Sequence, residues 1–538
     1  MKKLLCILMS VLLAFSLTAV SVNAVSEEAV SNEAELPLIY LPGRDNVTFF
    51  KADGTPVKNP KAIDRGNYIK EHAEPVIKEL AAAMVTGDYT SYVQSIVDAC
   101  KPLYEEQICT PDGNIQEGQY INWDYRTAPI VKQNTFGIPA YNFFYDWRVS
   151  PLEIADELDH YIERVLAETG KEKINISARC IGANFMMAYI AKSYRGDYDH
   201  PFRVQNIIHN TSAVDGYIAF GALLSGSIDL SADAIDRFVT YFLEDGSLID
   251  DPATIMFAIS LVSLMNQAEA LDLGANIVEA VYANVANSLI PELARCSTYG
   301  RVPAYWSMVG DKYFEKAVDY VFNTKELKTE YAGFIEKIEE YHALIGAVNP
   351  ATGNKMYEDL LLELDSQSIN SCVLAKYGQV SFPLFEGCEI TGDSRATVTE
   401  LSFGAMATDV GSRFDNRYLE KAERLGIDKY ISPCKTVDAS TCLFPDSTWF
   451  TTNLEHGTFP QQQNELMQQF FAANGELTVW DEGVLDQYTE FSTGTLLPVQ
   501  KEAQTESLWT DDILTLIKRF FTSLGELIMK FFSGLFQK

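Results

Sequence analysis

Over the first part of the chain, short apolar runs alternate with segments of helical spacing. Residues 37–41, Pro37-Leu38-Ile39-Tyr40-Leu41, form an apolar run that stops at Pro42-Gly43-Arg44-Asp45, the pattern of a buried strand ending in a glycine turn. Residues 141–145 form an aromatic run of the same kind, followed by Asp146-Trp147-Arg148. Ser150-Pro151-Leu152-Glu153 then reads as a capping box with proline at the first helical position. Ile154, Leu158, Tyr161, Ile162 and Val165 give that helix its apolar face, and Gly170 is placed to end it. A strand over 174–177, the turn Ala178-Arg179-Cys180-Ile181-Gly182, a helix over about 183–194 and a strand over 204–209 follow. This alternation predicts an α/β fold, a mostly parallel sheet with helices on both faces.

The strand pattern then stops for well over a hundred residues. Residues 231–243, 252–271, 276–293 and 314–341 have helical spacing, with Ile235, Phe238, Val239 and Phe242 on one face of the first. Strand character resumes over 380–385, 396–403 and 447–451. The pattern predicts a sheet domain in two parts, 37–210 and 346–491, divided by a large inserted helical cap at 211–345.

Both ends change the picture. Lys2 and Lys3 precede an apolar run over 4–20 that closes on small residues up to Ala24, the pattern of a secretory signal peptide over 1–24 with an acidic linker over 25–36. A polar linker over 492–507 leads to residues 508–538, where Ile513, Ile517, Phe520, Leu524, Leu527, Ile528 and Phe531 form one broad apolar face with Lys518, Arg519 and Lys530 interspersed. Such a helix either lies in a membrane interface or packs on a partner or its own domain. The expected location is extracellular, or retained at the cell surface.

Composition excludes several classes. Apolar residues make up 47% and charged residues 22%, enough for a sizeable core. A net charge of -32, without a basic cluster, argues against a nucleic-acid partner. The nine cysteines contain no CxxC pair and the six histidines no HExxH, so neither a metal nor another cofactor is expected. Cys434 and Cys442, or Cys100 and Cys109, are spaced to bridge a loop, but spacing does not fix connectivity.

The chemistry centres on the turn at Cys180. A nucleophile on a sharp strand-to-helix bend needs small residues two positions to either side, and Ala178 and Gly182 supply them. The thiol would sit at a helix N-terminus, where thiolate is favoured. The Ile181 N–H would form half of an oxyanion hole, and the turn at Gly43 and Arg44 the other half. A base is expected late in the chain, and His456 in Leu454-Glu455-His456-Gly457 fits; His209, at a strand end, reads as an interior histidine. For the orienting acid the pattern favours Asp438, with Asp446 and Asp409 as alternatives.

The run from Tyr145-Asp146-Trp147-Arg148 to Ala178-Arg179-Cys180-Ile181-Gly182, with the early Leu41-Pro42-Gly43, resembles the lecithin:cholesterol acyltransferase-like branch of the α/β-hydrolases. The likeness covers residues 37–210, and more loosely 430–470. It implies an α/β-hydrolase-type sheet with a helical lid, and a pocket braced by Asp146, Trp147 and Arg148 rather than reacting through them. Two features depart from the family. Cysteine stands where most members carry serine, and the family's acid would fall near Cys434, so Asp438 is a shifted substitute. The resemblance implies a secreted acyl-ester or thioester hydrolase, or an acyltransferase, acting on an amphiphilic ester or lipid, with membrane-surface contact expected through the C-terminal helix. The alternative is a non-catalytic binding protein with a decayed elbow.

Overall fold

The computed structural model describes residues 35–44, 47–59, 86–135, 138–229, 287–381 and 385–499, with scattered positions between 68 and 83. The expected signal peptide, nearly all of the acidic linker, residues 230–286 of the expected cap and the expected C-terminal helix lie outside the described residues.

The main sheet contains β1 (Leu38–Leu41), β2 (Gln133–Thr135), β3 (Ile138–Asn142), β4 (Ile174–Arg179), β5 (Val204–Asn210), β6 (Asn370–Tyr377), β7 (Thr448–Thr452), β8 (Tyr488–Ser492) and β9 (Thr495–Pro498). Their order across the sheet is β9-β8-β7-β6-β5-β4-β1-β3-β2. The strands from β3 through β1 to β8 are parallel, and β2 and β9 close the edges antiparallel. The chain leaves β1 toward one edge and, after β3, crosses to β4 and advances toward the other. The carboxyl ends of β1 and β4 therefore flank the point where the winding reverses, the place at which open α/β sheets form their ligand crevice.

Both faces of the sheet are covered, so the central strands bury residues on both sides. Ile39, Leu41, Ile176, Ala178, Ile207, Val373 and Ala375 point to one side, where α1 (Pro151–Thr169) and α2 (Gly182–Tyr194) contribute Ile154, Leu158, Ile162, Phe185 and Met186 to a common core. A short α3 (Ile218–Leu224) leads away from the sheet and packs on the helix Asp311–Val321. Leu38, Tyr40, Ile208, Cys372 and Leu374 point to the other side, under Leu466, Met467 and Phe470 of α4 (Gln461–Ala472). Helix α1 begins as expected: the Ser150 hydroxyl accepts from Leu152 N at 3.4 Å, and Gly170 ends the helix at φ 65°. Glu153 pairs with Lys337 at 2.5 Å rather than closing the box.

Several expected boundaries move. The strand expected over 141–145 lies at Ile138–Asn142, and residues 314–341 divide among three helices, Asp311–Val321, Lys325–Glu330 and Ala332–Tyr341. The run over 396–403 is a single helical turn, Val398–Leu401, capped by Thr397 and Glu400, and the described positions of 380–385 are not strand. Short apolar runs do not separate strand from helix, and these bury Val398 and Leu401 equally well as a helical turn. The hairpin β8–β9 enters the expected polar linker. All eight described cysteines are free thiols, so neither Cys434 and Cys442 nor Cys100 and Cys109 are bridged. Among the described residues no helix is long and apolar enough to cross a membrane.

Candidate active site

Strand β4 ends at Arg179 and α2 begins at Gly182, which leaves Cys180 on the bend with φ 53°, a strained left-handed backbone for a residue with a side chain. Hydrogen bonds hold it there. Cys180 N donates to Asn210 O at 3.2 Å, and Cys180 O accepts from Ala183 N at 3.1 Å and Ala213 N at 3.3 Å. Small neighbours are obligatory, as expected from the spacing. A Cβ on Gly182 would lie 2.6 Å from Pro42 O and 2.8 Å from Leu41 O, and Ala178 is fully buried. A Cβ on Gly43 would lie 3.5 Å from Cys180 Cβ, so the turn after β1, at Gly43 and Arg44, stands beside the elbow.

His456 follows β7 and lies beside this elbow. Its Nδ1 is 2.6 Å from Asp393 Oδ2, and its buried Nε2 makes no hydrogen bond of good geometry among the described residues; Cys180 is close enough to act on it electrostatically. Burial alone would push that thiol up. The charge and hydrogen bonding of His456, the Tyr217 hydroxyl and the Ile181 N–H outweigh it and bring Cys180 down to about 7. Burial would likewise push His456 down, but Asp393 and Cys180 raise it to about 9. The thiolate and imidazolium pair is therefore populated from about neutral pH upward.

The carboxylate bonded to His456 is that of Asp393 and not, as expected, that of Asp438. Asp393 is fully buried in the tight turn 392–397 after β6, where its Oδ1 accepts from Arg395 N and Ala396 N, each at 3.1 Å. Gly392 is required there, since a Cβ would lie 2.0 Å from Ala396 O. Although burial opposes ionisation, His456, Lys376 and the Ala396 N–H hold Asp393 below the usual carboxylate range. Asp438 is also buried, but its carboxylate accepts from Tyr418 Oη at 2.7 Å and Ser440 N at 2.8 Å, which commits it to a short ladder and a turn. Asp446 accepts from Tyr430 Oη at 2.7 Å and Trp480 Nε1 at 2.6 Å, and Asp409 is exposed. Asp393 lies between residues 380–385 and 396–403, which were expected as strands and whose described positions are not strand.

Two further residues at the site were not expected. Lys376, on β6, is fully buried, and its ammonium donates to Glu455 O at 2.8 Å, His456 O at 2.9 Å and Thr458 O at 2.7 Å. All three donors are used on the loop that carries His456, and burial lowers this lysine to about 7. Tyr217 donates to Cys180 Sγ at 3.7 Å, and its ring stands edge-on to the His456 ring.

Asp146, Trp147 and Arg148 brace the surroundings. Arg148, 1% exposed, donates to Asp146 through Nε at 2.9 Å and Nη2 at 2.7 Å and lies over the Phe49 ring. Trp147 stacks on Tyr305, and the Arg44 guanidinium lies over both rings. His209 is buried against Phe403, and burial holds it neutral, down to about 3. Neither of its ring nitrogens has a partner among the described residues, so it is an interior histidine but not a hydrogen-bonded one.

No protein-family model matches the chain, and no curated protein matches it. Among solved structures, the crystal structure of the Tle4-Tli4 complex is similar at 15% identity and a TM-score of 0.18. The match covers 36% of this chain and 48% of that chain, about half its length.

Proposed function

We propose that this chain is an exported α/β-hydrolase-type enzyme that cleaves acyl-ester or thioester bonds through Cys180, His456 and Asp393, under a cap formed by the insertion after β5. The observation that carries the reading is a thiol at positive φ on a strand-to-helix bend, beside a histidine that is itself bonded to a buried carboxylate. The order Cys, Asp, His, with the nucleophile after β4, the acid after β6 and the base after β7, supports it. The rings of Phe220, Tyr299, Tyr305 and Trp147 stand together near the turn at Arg44 and favour an apolar acyl chain.

In the cycle, Cys180 thiolate attacks the carbonyl carbon, and the carbonyl electrons move to oxygen. The Ile181 N–H and the turn at Gly43 hold that oxyanion. The tetrahedral species collapses to a Cys180 thioester as the leaving alkoxide or thiolate takes the proton of imidazolium His456. Neutral His456 then removes a proton from water, which attacks the thioester. Cys180 departs as thiolate, the acid is released, and imidazolium is restored.

The test is iodoacetamide alkylation of the full chain against pH with peptide mapping, beside turnover of p-nitrophenyl acyl esters. Cys180 is expected to alkylate with a midpoint near 7, apart from the other cysteines, and Cys180→Ala to abolish turnover without unfolding. A decayed elbow would leave Cys180 no more reactive than the other cysteines and the ester untouched.

A further inference from the structure

The segment between β5 and α3 passes directly over the elbow, and its placement is tightly determined. Thr211 leaves the strand at φ 45°, with its N–H on Leu374 O at 3.0 Å, and Ala213 N returns to Cys180 O at 3.3 Å. Gly216 turns the chain at φ 83°, where a Cβ would lie 2.7 Å from Gly310 N. Tyr217 N then donates to Met308 O at 2.8 Å, and Ile218 N donates to the Glu400 carboxylate. The Tyr217 ring, 5% exposed, is thus held from both sides, with its edge toward His456.

One proton on the Tyr217 hydroxyl serves two acceptors, Cys180 Sγ at 3.7 Å and Thr211 O at 3.4 Å. A hydroxyl shared in this way goes to whichever acceptor carries more charge. When Cys180 is a thiolate, that acceptor is sulfur. When Cys180 is acylated, the sulfur is neutral and a poor acceptor, and the hydroxyl turns to the carbonyl. Resting on the assignment of Cys180 as nucleophile, we propose that Tyr217 is a further catalytic residue, a hydrogen-bond donor that stabilises the thiolate both before attack and as the leaving group of deacylation. It transfers no proton. Burial above all, with Cys180, Asp393 and Glu400 also bearing on the phenol, keeps it protonated across the working range. The donor therefore costs the site no charge, and the phenol does not compete with His456 for the proton.

The consequence is a division of labour during turnover. His456 supplies protons to the leaving group and takes them from water, and Tyr217 lowers the energy of the sulfur anion at both ends of the cycle. Removing the hydroxyl leaves a thiolate that is scarcer at low pH and slower to leave the acyl-enzyme.

The experiment compares wild-type chain with Tyr217→Phe, which keeps the ring and loses one oxygen. A hydrogen bond to a charged group has a strength equivalent to about one pH unit, or about tenfold in a population. The alkylation midpoint of Cys180 is expected to rise by about one pH unit in the variant. With p-nitrophenyl acetate, acyl-enzyme should accumulate as a burst with a deacylation rate about tenfold lower. Incorporating 3-fluorotyrosine at position 217, a stronger donor of the same shape, should move the midpoint the opposite way, and this arm decides if the phenylalanine variant folds poorly. An unchanged midpoint in both variants overturns the role of Tyr217 while leaving Cys180 as nucleophile. An ordinary thiol midpoint in the wild-type chain instead sinks the nucleophile assignment itself, before Tyr217 is changed.

Discussion

Replacing Asp393 by asparagine tests the relay at the position the structure singles out. The Oδ1 atom of Asp393 accepts from two backbone N–H groups, those of Arg395 and Ala396, so in Asp393→Asn the amide oxygen must stay there. The amide NH2 then faces His456 Nδ1, where a carboxylate oxygen stood at 2.6 Å. A donor opposite Nδ1 forces the proton onto Nε2, the nitrogen on the thiol side, and a neutral imidazole in that tautomer cannot take a proton from Cys180 or water. The charge contributes as well. The rise of His456 from 6.5 to about 9 corresponds to about 3 kcal/mol in favour of the imidazolium, shared between Asp393 and Cys180. Losing the Asp393 share alone predicts roughly a tenfold to hundredfold fall in turnover, and the wrong tautomer extends it toward about 10⁴-fold. The assay is kcat/KM on a p-nitrophenyl ester together with the alkylation midpoint of Cys180, which should move from about 7 toward an ordinary thiol. Asp438→Asn is the control. It loses contacts to Tyr418 and Ser440, should lower thermal stability by about 1 to 2 kcal/mol and should leave the midpoint where it was. A larger loss of turnover from Asp438→Asn than from Asp393→Asn refutes the assignment.

Lys376→Met removes three hydrogen bonds from the loop around His456 and strands three carbonyls, so a loss of about 2 to 4 kcal/mol and a displaced histidine are expected; chemical denaturation and the Cys180 alkylation midpoint check this, and wild-type values in both would dismiss the staple. His209 is held neutral in the folded chain, down to about 3 against 6.5 unfolded, so its contribution to stability is intact above 6.5 and is lost as pH falls from 6.5 toward 3. His209→Phe should flatten that acid limb in thermal melts while ester turnover persists, and an equal loss of turnover from His209→Phe and His456→Ala would mean the base is misassigned.

The readable parts of the sequence were those whose constraint is local. The elbow declares itself because Ala178 and Gly182 must be small for steric reasons confined to a few neighbouring atoms, and α1 because a cap, a proline and a glycine mark its ends. His456 was found by its place after an apolar strand. Asp393 was not, because its role depends on a turn in which Gly392 and Ala396 meet through backbone contacts, and the flanking apolar residues 396–403 fill the core as a helical turn while reading as a strand.

Strand β6 explains the rest of the misplacement. Its residues, Asn370-Ser371-Cys372-Val373-Leu374-Ala375-Lys376-Tyr377, hold an apolar run of only four, Cys372–Ala375, between two polar residues and a lysine, too short to tell an interior strand from a helical turn. A buried lysine is unfavourable unless its ammonium is fully bonded. Here the acceptors are carbonyls of the loop after β7, the neighbouring parallel strand, and they lie at the carboxyl edge where β6 also delivers the chain toward Asp393. The residue that hides the strand in the sequence is thus the one that ties the histidine loop to the strand leading to its acid. Lys376 ties the loop that carries His456 to the sheet, and Asp393 bonds His456 Nδ1 from the loop after β6, so the elbow after β4 meets a base held from two directions.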